Sequence, residues 1–214
     1  MFVHGLTGSM DESIFYNGAR FFEKKGFSSF RFNLYDDHAD ARKLHECDLK
    51  MHASDINQVV DYFRRKKTKE ICLVGHSYGG PSVLFSRTEM YSGIVLWDPT
   101  MDPDIVYRKT IPDKIANGFI RQWSFKFILG NKMVAESRKF ANFEDSAKNT
   151  FTPTKIILAQ NGNAQSKNKA GFFKALGGSK EMVVFEKTGH TFSEEGAEER
   201  LFVETLKWFK KFKY

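Results

Sequence analysis

The chain has only two cysteines and no long apolar run, and each shortage excludes a class of protein. Cys47 and Cys72 are too few for a disulfide framework, so we expect a reducing compartment. No apolar stretch approaches the roughly 18–20 residues that a membrane-spanning helix needs. Residues 1–5 lack the basic and apolar regions of a signal peptide, and there is no N-x-[ST] sequon. We therefore expect a cytoplasmic protein without a membrane span.

Motifs for nucleotides, nucleic acids and metals are missing as well. There is no Walker loop and no G-x-G-x-x-G pattern. The net charge of +7 comes without a recognition helix, zinc finger or aromatic-basic RNA motif, so we interpret the basic clusters at 64–69 and 207–213 as solvated helix ends. One polar loop holds four potential metal ligands at a spacing that fits no standard zinc site: His38, His45, Cys47 and His52. We expect no cofactor, no metal and no nucleic-acid partner, and the sequence indicates no particular oligomeric state.

Helix-like and strand-like segments alternate along the 214 residues. The apolar patterns predict helices over 13–25, 54–66 (capped by Ser54 or Asp55), 172–176 and 194–212, and strands over 27–33, 71–74, 94–97, 155–159 and 182–186, after a short apolar stub at 1–3. This alternation predicts an α/β fold, with a mostly parallel sheet of about six strands and helices on both faces. In such sheets the site lies at the carboxyl ends of the strands.

A serine follows the predicted strand 71–74 in a glycine-rich turn. The segment Gly75-His76-Ser77-Tyr78-Gly79-Gly80 leads into a helix with Pro81 in its first turn. G-x-S-x-G between a buried strand and a helix is typical of a nucleophile elbow, in which a strained turn lifts the serine hydroxyl above the sheet. The two flanking glycines leave room for the backbone to cross there. The alternative is that Ser77 merely caps a helix after a glycine-rich turn.

Two other segments contain groups that acyl-transfer chemistry requires. His4-Gly5-Leu6-Thr7-Gly8 follows the apolar stub, and its backbone N–H groups can point at a developing oxyanion. The amides of Leu6 and Tyr78 would supply two donors, each worth roughly 3 kcal/mol in kcat. His190 follows the last predicted strand, where it can reach the serine as general base.

Together, these three segments resemble the α/β-hydrolase superfamily, in particular its serine esterase and lipase-like branch, over almost the whole chain. The resemblance implies that Ser77 is the nucleophile, His190 the base, and the amides of Leu6 and Tyr78 the oxyanion hole. It implies a small-molecule carboxylic ester or thioester as substrate, cleaved through an acyl-enzyme. A non-catalytic ligand-binding protein on the same fold is the alternative, and an acyl transferase would share the acyl-enzyme.

The acid of the triad departs from the family pattern. The family usually has an aspartate after the strand that precedes the last one, and here Asn163 or Asn161 occupies that position. Asp98, followed by Pro99, ends the strand after the nucleophile helix, where pancreatic-type lipases place their acid. We therefore predict Asp98 as the acid, with Asp102 and Asp104 as fallbacks.

The beginning of the chain also departs from the family pattern. Family members usually have two strands before the His-Gly strand, whereas only residues 1–3 precede His4 here. The sequence thus predicts an α/β-hydrolase fold that lacks the first strands. Either the protein is a minimal hydrolase or its natural start lies upstream, and we favour the second interpretation.

An insertion-like segment, 100–152, interrupts the predicted alternation. It is longer than a simple crossover requires and is rich in aromatic residues. Insertions at this point commonly form lids in the family, so we expect a small helical lid beside an apolar pocket. The prediction is one α/β-hydrolase domain over 1–214, with this insertion inside it.

Overall fold

The computed structural model describes residues 1–140 and 142–212. In this part of the chain the strands and α-helices follow one another in this order: β1 (Phe2–Val3), α1 (Ser13–Glu23), α2 (Leu49–Arg65), β2 (Cys72–His76), α3 (Gly79–Leu84), β3 (Gly93–Trp97), β4 (Ile111–Asp113), β5 (Gly118–Gln122), β6 (Lys126–Gly130), α4 (Asn131–Ser137), α5 (Glu144–Lys148), β7 (Thr154–Ala159), α6 (Lys169–Ala175), β8 (Lys180–Phe185) and α7 (Ala197–Lys211). Five strands form a parallel sheet in the order β1-β2-β3-β7-β8. The predicted α/β class with a parallel sheet is confirmed.

The central strands contain continuous apolar runs because helices cover both faces of the sheet. Successive residues of a strand point to opposite faces. On β3, Leu96 packs into one core cluster with Ile56 of α2, while Trp97 packs into the other with Phe202 of α7. The indole N–H of Trp97 donates a hydrogen bond of 2.9 Å to the hydroxyl of Thr205, so this buried polar group is satisfied. No described helix is both long and apolar enough to span a bilayer.

The predicted strand at 27–33 does not form. Among the described residues, this segment makes one isolated parallel bridge, between Phe2 and Arg31, and Phe30 O accepts a hydrogen bond of 2.9 Å from Phe2 N–H. The strand β1 has only two residues to pair with, and residues 28–30 are exposed, so little burial supports a longer ladder. The sheet therefore has five strands rather than about six.

The second helix begins earlier than the predicted position 54. Its N-cap is Asp48, whose carboxylate accepts a hydrogen bond of 2.7 Å from Met51 N–H. The next amide, Leu49 N–H, donates to the Glu136 carboxylate at 2.7 Å. Two acceptors thus satisfy the first turn, one of them 87 residues away in the sequence. As a result, His52 lies buried on a helix rather than in the predicted polar loop.

The predicted helical lid is wrong in its secondary structure. The insertion contains an antiparallel sheet, β4-β5-β6, followed by the short helices α4 and α5. Both β5 and β6 are rich in aromatic and β-branched residues, which favour strands. Before β5, Asn117 adopts a left-handed conformation with φ of 47°, as tight turns between strands often require.

Candidate active site

Five loops meet at one edge of the parallel sheet, and each contains a residue that the sequence singled out. Leu6 follows β1, Ser77 follows β2, Asp98 follows β3, Asn163 follows β7 and His190 follows β8. Parallel strands all end at the same edge, so residues far apart in sequence converge there.

Ser77 lies on a strained turn. Its φ is 54°, a left-handed conformation that non-glycine residues adopt at a cost of about 1–3 kcal/mol. The turn also brings backbone segments close together: a Cβ on Gly75 would lie 2.6 Å from Gly79 O, and a Cβ on Gly79 would collide with Val3 O. Ser77 N–H donates a hydrogen bond of 3.0 Å to Trp97 O, which ties the turn to the neighbouring strand. This is the geometry of a nucleophile elbow.

Ser77, His190 and Asp98 form a hydrogen-bonded row. The distance from Ser77 Oγ to His190 Nε2 is 2.9 Å, and that from His190 Nδ1 to Asp98 Oδ2 is 2.5 Å. Asp98 is fully buried, whereas the His190 side chain is 39% exposed. Because the carboxylate accepts the Nδ1 proton, Nε2 is left to accept the serine proton.

The Asp98 carboxylate accepts hydrogen bonds from main-chain N–H groups at the end of β7 and in the loop that follows it. Ala159 N–H donates to Oδ1 at 2.9 Å, and Asn163 N–H lies 3.1 Å from Oδ1 and 2.9 Å from Oδ2. Hydrogen bonds from amides stabilise an ionised carboxylate away from water. The backbone of Asp98 is itself left-handed, with φ of 40°. The Asn163 side chain donates to Asp98 O at 2.7 Å and to Pro99 O at 3.0 Å.

The other residues considered for the acid position bond to other partners. Asn161 N–H donates to Thr188 O at 2.9 Å, which links the loops after β7 and β8. Asp102 accepts hydrogen bonds from the side chains of Ser166 and Asn168, and Asp104 forms an ion pair with Arg108. Within 1–140 and 142–212, Asp98 is the carboxylate that hydrogen-bonds to His190.

Hydrogen bonds fix the orientation of the Gly5 carbonyl in the His-Gly loop, residues 4–8. The carbonyl oxygen of Gly5 accepts three hydrogen bonds, from His4 Nδ1 at 2.9 Å, the Tyr35 hydroxyl at 2.8 Å and Gly8 N–H at 3.2 Å. In a trans peptide the C=O and the following N–H point in opposite directions. Fixing this carbonyl therefore aims the Leu6 N–H away from these donors. In the described part of the chain, neither Leu6 N–H nor Tyr78 N–H donates to another protein group.

Burial keeps the His4 ring neutral. It lowers the pKa of His4 to about 4, and Nε2 accepts a hydrogen bond of 3.0 Å from Leu34 N–H. The proton therefore sits on Nδ1, where it serves the Gly5 carbonyl. This role of His4 was not predicted from the sequence, and neither was that of Tyr35, for which no local signal exists.

His76 contacts His190 through a hydrogen bond and through its ring. Its buried Nε2 lies 2.9 Å from His190 O, and the two ring centroids are 4.9 Å apart. Burial, with a further contribution from His190, lowers the pKa of His76 to about 4, so the ring is neutral and donates one N–H to that carbonyl. His76 thus positions the loop that carries His190, a role that its place beside Ser77 in the sequence does not reveal.

A cavity of about 470 Å³ opens over Ser77. Its lining includes Leu6, Tyr78 and His190, together with Ile105 and Trp123 from the insertion. Glu12, at the start of α1, lines it as well. The volume suits a small substrate. In the described ranges, no three side chains of metal-binding type converge.

Comparisons with known proteins find likeness in structure and not in sequence. No family model matches the chain, and no curated protein matches it. The structure is similar to the esterase domain of a Rhodothermus marinus protein, with a TM-score of 0.75, 18% identity and coverage of 99% of this chain and 85% of that one. It is similar to Est1E from Butyrivibrio proteoclasticus in a structure with bound ferulic acid, with a TM-score of 0.78, 18% identity and coverage of 98% and 88%.

A third similar structure is the monoacylglycerol lipase of Paleococcus ferrophilus, with a TM-score of 0.72, 14% identity and coverage of 99% of this chain and 93% of that one. At these identities, the likeness concerns the fold. The chain therefore has the α/β-hydrolase fold, as its motifs predicted.

Proposed function

We propose that this protein is a serine hydrolase that cleaves a carboxylic ester or thioester through an acyl-enzyme on Ser77. The observation that carries the proposal is the hydrogen-bonded row from Ser77 Oγ through His190 to the buried Asp98 carboxylate. The strained backbone of Ser77 adds support, because such strain concentrates at functional sites. Structural neighbours that are themselves esterases and lipases support a hydrolase.

In the first half of the reaction, Ser77 Oγ attacks the acyl carbon while His190 Nε2 takes its proton. Asp98 stabilises the resulting imidazolium through Nδ1. The negative oxygen of the tetrahedral intermediate accepts hydrogen bonds from Leu6 N–H and Tyr78 N–H. His190 then gives its proton to the leaving alcohol or thiol, and the acyl-enzyme remains.

In the second half, His190 removes a proton from water, which attacks the acyl carbon. Collapse of this second intermediate releases the carboxylic acid and returns the proton to Ser77. Apart from the substrate and water, every group in these steps is a side chain or main-chain amide of the protein.

The test is the intact mass of the protein after exposure to a fluorophosphonate. We expect one adduct on wild type, none on Ser77→Ala, and one on the control Ser28→Ala, which removes an exposed hydroxyl elsewhere. A p-nitrophenyl ester should also give a burst of p-nitrophenol that matches the enzyme concentration. A folded wild-type protein with neither adduct nor burst would instead support a non-catalytic binding protein.

A further inference from the structure

Glu12 lines the cavity that contains Ser77 and His190, although no step of the proposed mechanism uses it. It is the N-cap residue of α1, and its side chain turns back over the His-Gly loop rather than capping the helix. Its Oε1 accepts a hydrogen bond of 3.2 Å from Ser9 N–H. The same oxygen lies so close to Gly8 that a Cβ there would collide with it. The carboxylate is therefore fixed against the loop that carries the Leu6 amide.

Within the described ranges, neither a lysine nor an arginine forms an ion pair with the Glu12 carboxylate, and Ser9 N–H is its hydrogen-bond donor. Burial raises the pKa of Glu12, and the neighbouring charge of His190 opposes this rise. A partly buried carboxylate that no lysine or arginine neutralises is unfavourable unless something else compensates it. In a substrate cavity, a cationic group of the ligand would supply that compensation.

The chemistry of the site indicates which portion of the ester lies near Glu12. The leaving group must take its proton from His190 Nε2, so the alcohol portion lies on the His190 side of the acyl carbon. His190 and Glu12 line the same cavity, and the charge of His190 acts on the pKa of Glu12. The alcohol portion is therefore the part of a substrate that passes near this carboxylate.

We infer that Glu12 is a specificity-determining residue, which binds a cationic nitrogen in the alcohol portion of the ester and disfavours anionic substrates. The inference rests on the proposed hydrolase function and names its substrate class. Glu12 is not required for the chemical step, so its removal changes the selection among esters rather than the hydrolysis of a neutral one.

The experiment compares three butanoate esters that differ in the charge of the alcohol. They are the 2-(trimethylammonio)ethyl ester, its neutral isostere the 3,3-dimethylbutyl ester, and the 2-carboxyethyl ester. For wild type we expect kcat/KM to fall about tenfold from the cationic to the neutral ester and again to the anionic one. Glu12→Gln, which retains the acceptor for Ser9 N–H, should bring all three within about threefold of the neutral ester. The control Glu23→Gln, exposed at the other end of α1, should keep the wild-type order.

A second measurement needs no variant. Added salt should raise KM for the cationic ester on wild type and leave KM for the neutral ester unchanged. Equal rates for the three esters on wild type, or an equal loss for all three in Glu12→Gln, would overturn the inference while the hydrolase proposal stands. If neither wild type nor Glu12→Gln labels with the fluorophosphonate, and neither cleaves an ester, both proposals are overturned.

Discussion

The main-chain N–H of Asn163 lies 2.9 Å from Oδ2 of Asp98, and the Asn163 side chain donates to the main-chain carbonyl of the same aspartate at 2.7 Å. Asn163 lies in the loop after β7, where the sequence has Asn163 or Asn161 in place of the expected acid. Its main-chain and side-chain groups both bond to Asp98, so this loop holds a carboxylate instead of supplying one. The loop after β7 stays part of the site, as a donor rather than as an acid.

This arrangement predicts unequal effects for two substitutions. Asp98→Asn should lower kcat by about 10³–10⁴-fold, because an amide does not stabilise the imidazolium of His190. Asn163→Ala keeps the main-chain donor and loses only the side-chain hydrogen bonds, so kcat should fall less than about tenfold while stability drops by about 1–3 kcal/mol. Steady-state kinetics with a p-nitrophenyl ester and urea unfolding measure the two effects. Equal losses of activity in the two variants would contradict the assignment of Asp98 as the acid.

Gly5→Ala should abolish most of the activity without unfolding the protein. The new Cβ would lie 2.7 Å from Ser77 Cβ and 3.2 Å from Ser77 Oγ, so either the nucleophile or the His-Gly loop must shift. Displacing one oxyanion donor costs about 10²–10³ in kcat. The circular dichroism spectrum should match wild type. Gly93→Ala serves as the control for activity, because Gly93 lies at the other end of β3 from Asp98 and a Cβ there meets its nearest atom at 3.5 Å, an ordinary van der Waals contact. A fully active Gly5→Ala enzyme would argue against the Leu6 amide as a donor.

His76→Phe tests whether His76 positions the base. Phenylalanine keeps an aromatic ring in the buried site and removes the hydrogen bond to His190 O. One such bond contributes about 1 kcal/mol, so kcat should fall about fivefold to tenfold. KM should stay within about twofold, because His76 acts through His190 rather than through substrate binding. The exposed His38 provides the control His38→Phe. A change in KM alone would mean that His76 shapes the cavity and does not hold the base.

Stability should fall as the pH drops from about 6.5 towards 4. Burial lowers the pKa of His4 and His76 to about 4 and that of His52 to about 3, against an ordinary value of 6.5. Below pH 6.5 the unfolded chain binds protons that these folded rings reject, so each histidine contributes a slope of up to about 1.4 kcal/mol per pH unit. Above pH 6.5 the three rings are neutral in both states, and this contribution to stability is complete.

Urea unfolding at pH 5, 6 and 7 measures this slope. His52→Leu should reduce it, because one buried histidine is removed. Its Nε2 also has no hydrogen-bond partner among the described residues, so leucine avoids a buried unsatisfied atom. A slope that is unchanged in His52→Leu would show that other groups cause the loss of stability in acid.

Much of the architecture followed from short-range patterns in the sequence. The continuous apolar runs of β2, β3 and β7 mark strands that are buried on both faces, and they need only their own residues to be recognised. The elbow around Ser77 is likewise local, because its glycines and its serine lie within five positions. The weaker pattern at 27–33 failed because pairing there depends on a distant partner, Phe2. In the insertion the strands pair with their neighbours in sequence, and its aromatic and β-branched residues favour those strands over the predicted helices.

The site itself shows the same division. The sequence alone predicted the strained turn that holds Ser77, because such a turn between a strand and a helix requires a particular local residue pattern. The sequence favoured Asp98 over Asn163 as the acid, but the way in which Asp98 is held depends on hydrogen bonds from residues 61 and 65 positions away. The same holds for Tyr35 on the Gly5 carbonyl and for Glu136 at the start of α2, since each partner is chosen by how the folded chain brings distant segments together rather than by any neighbour in sequence.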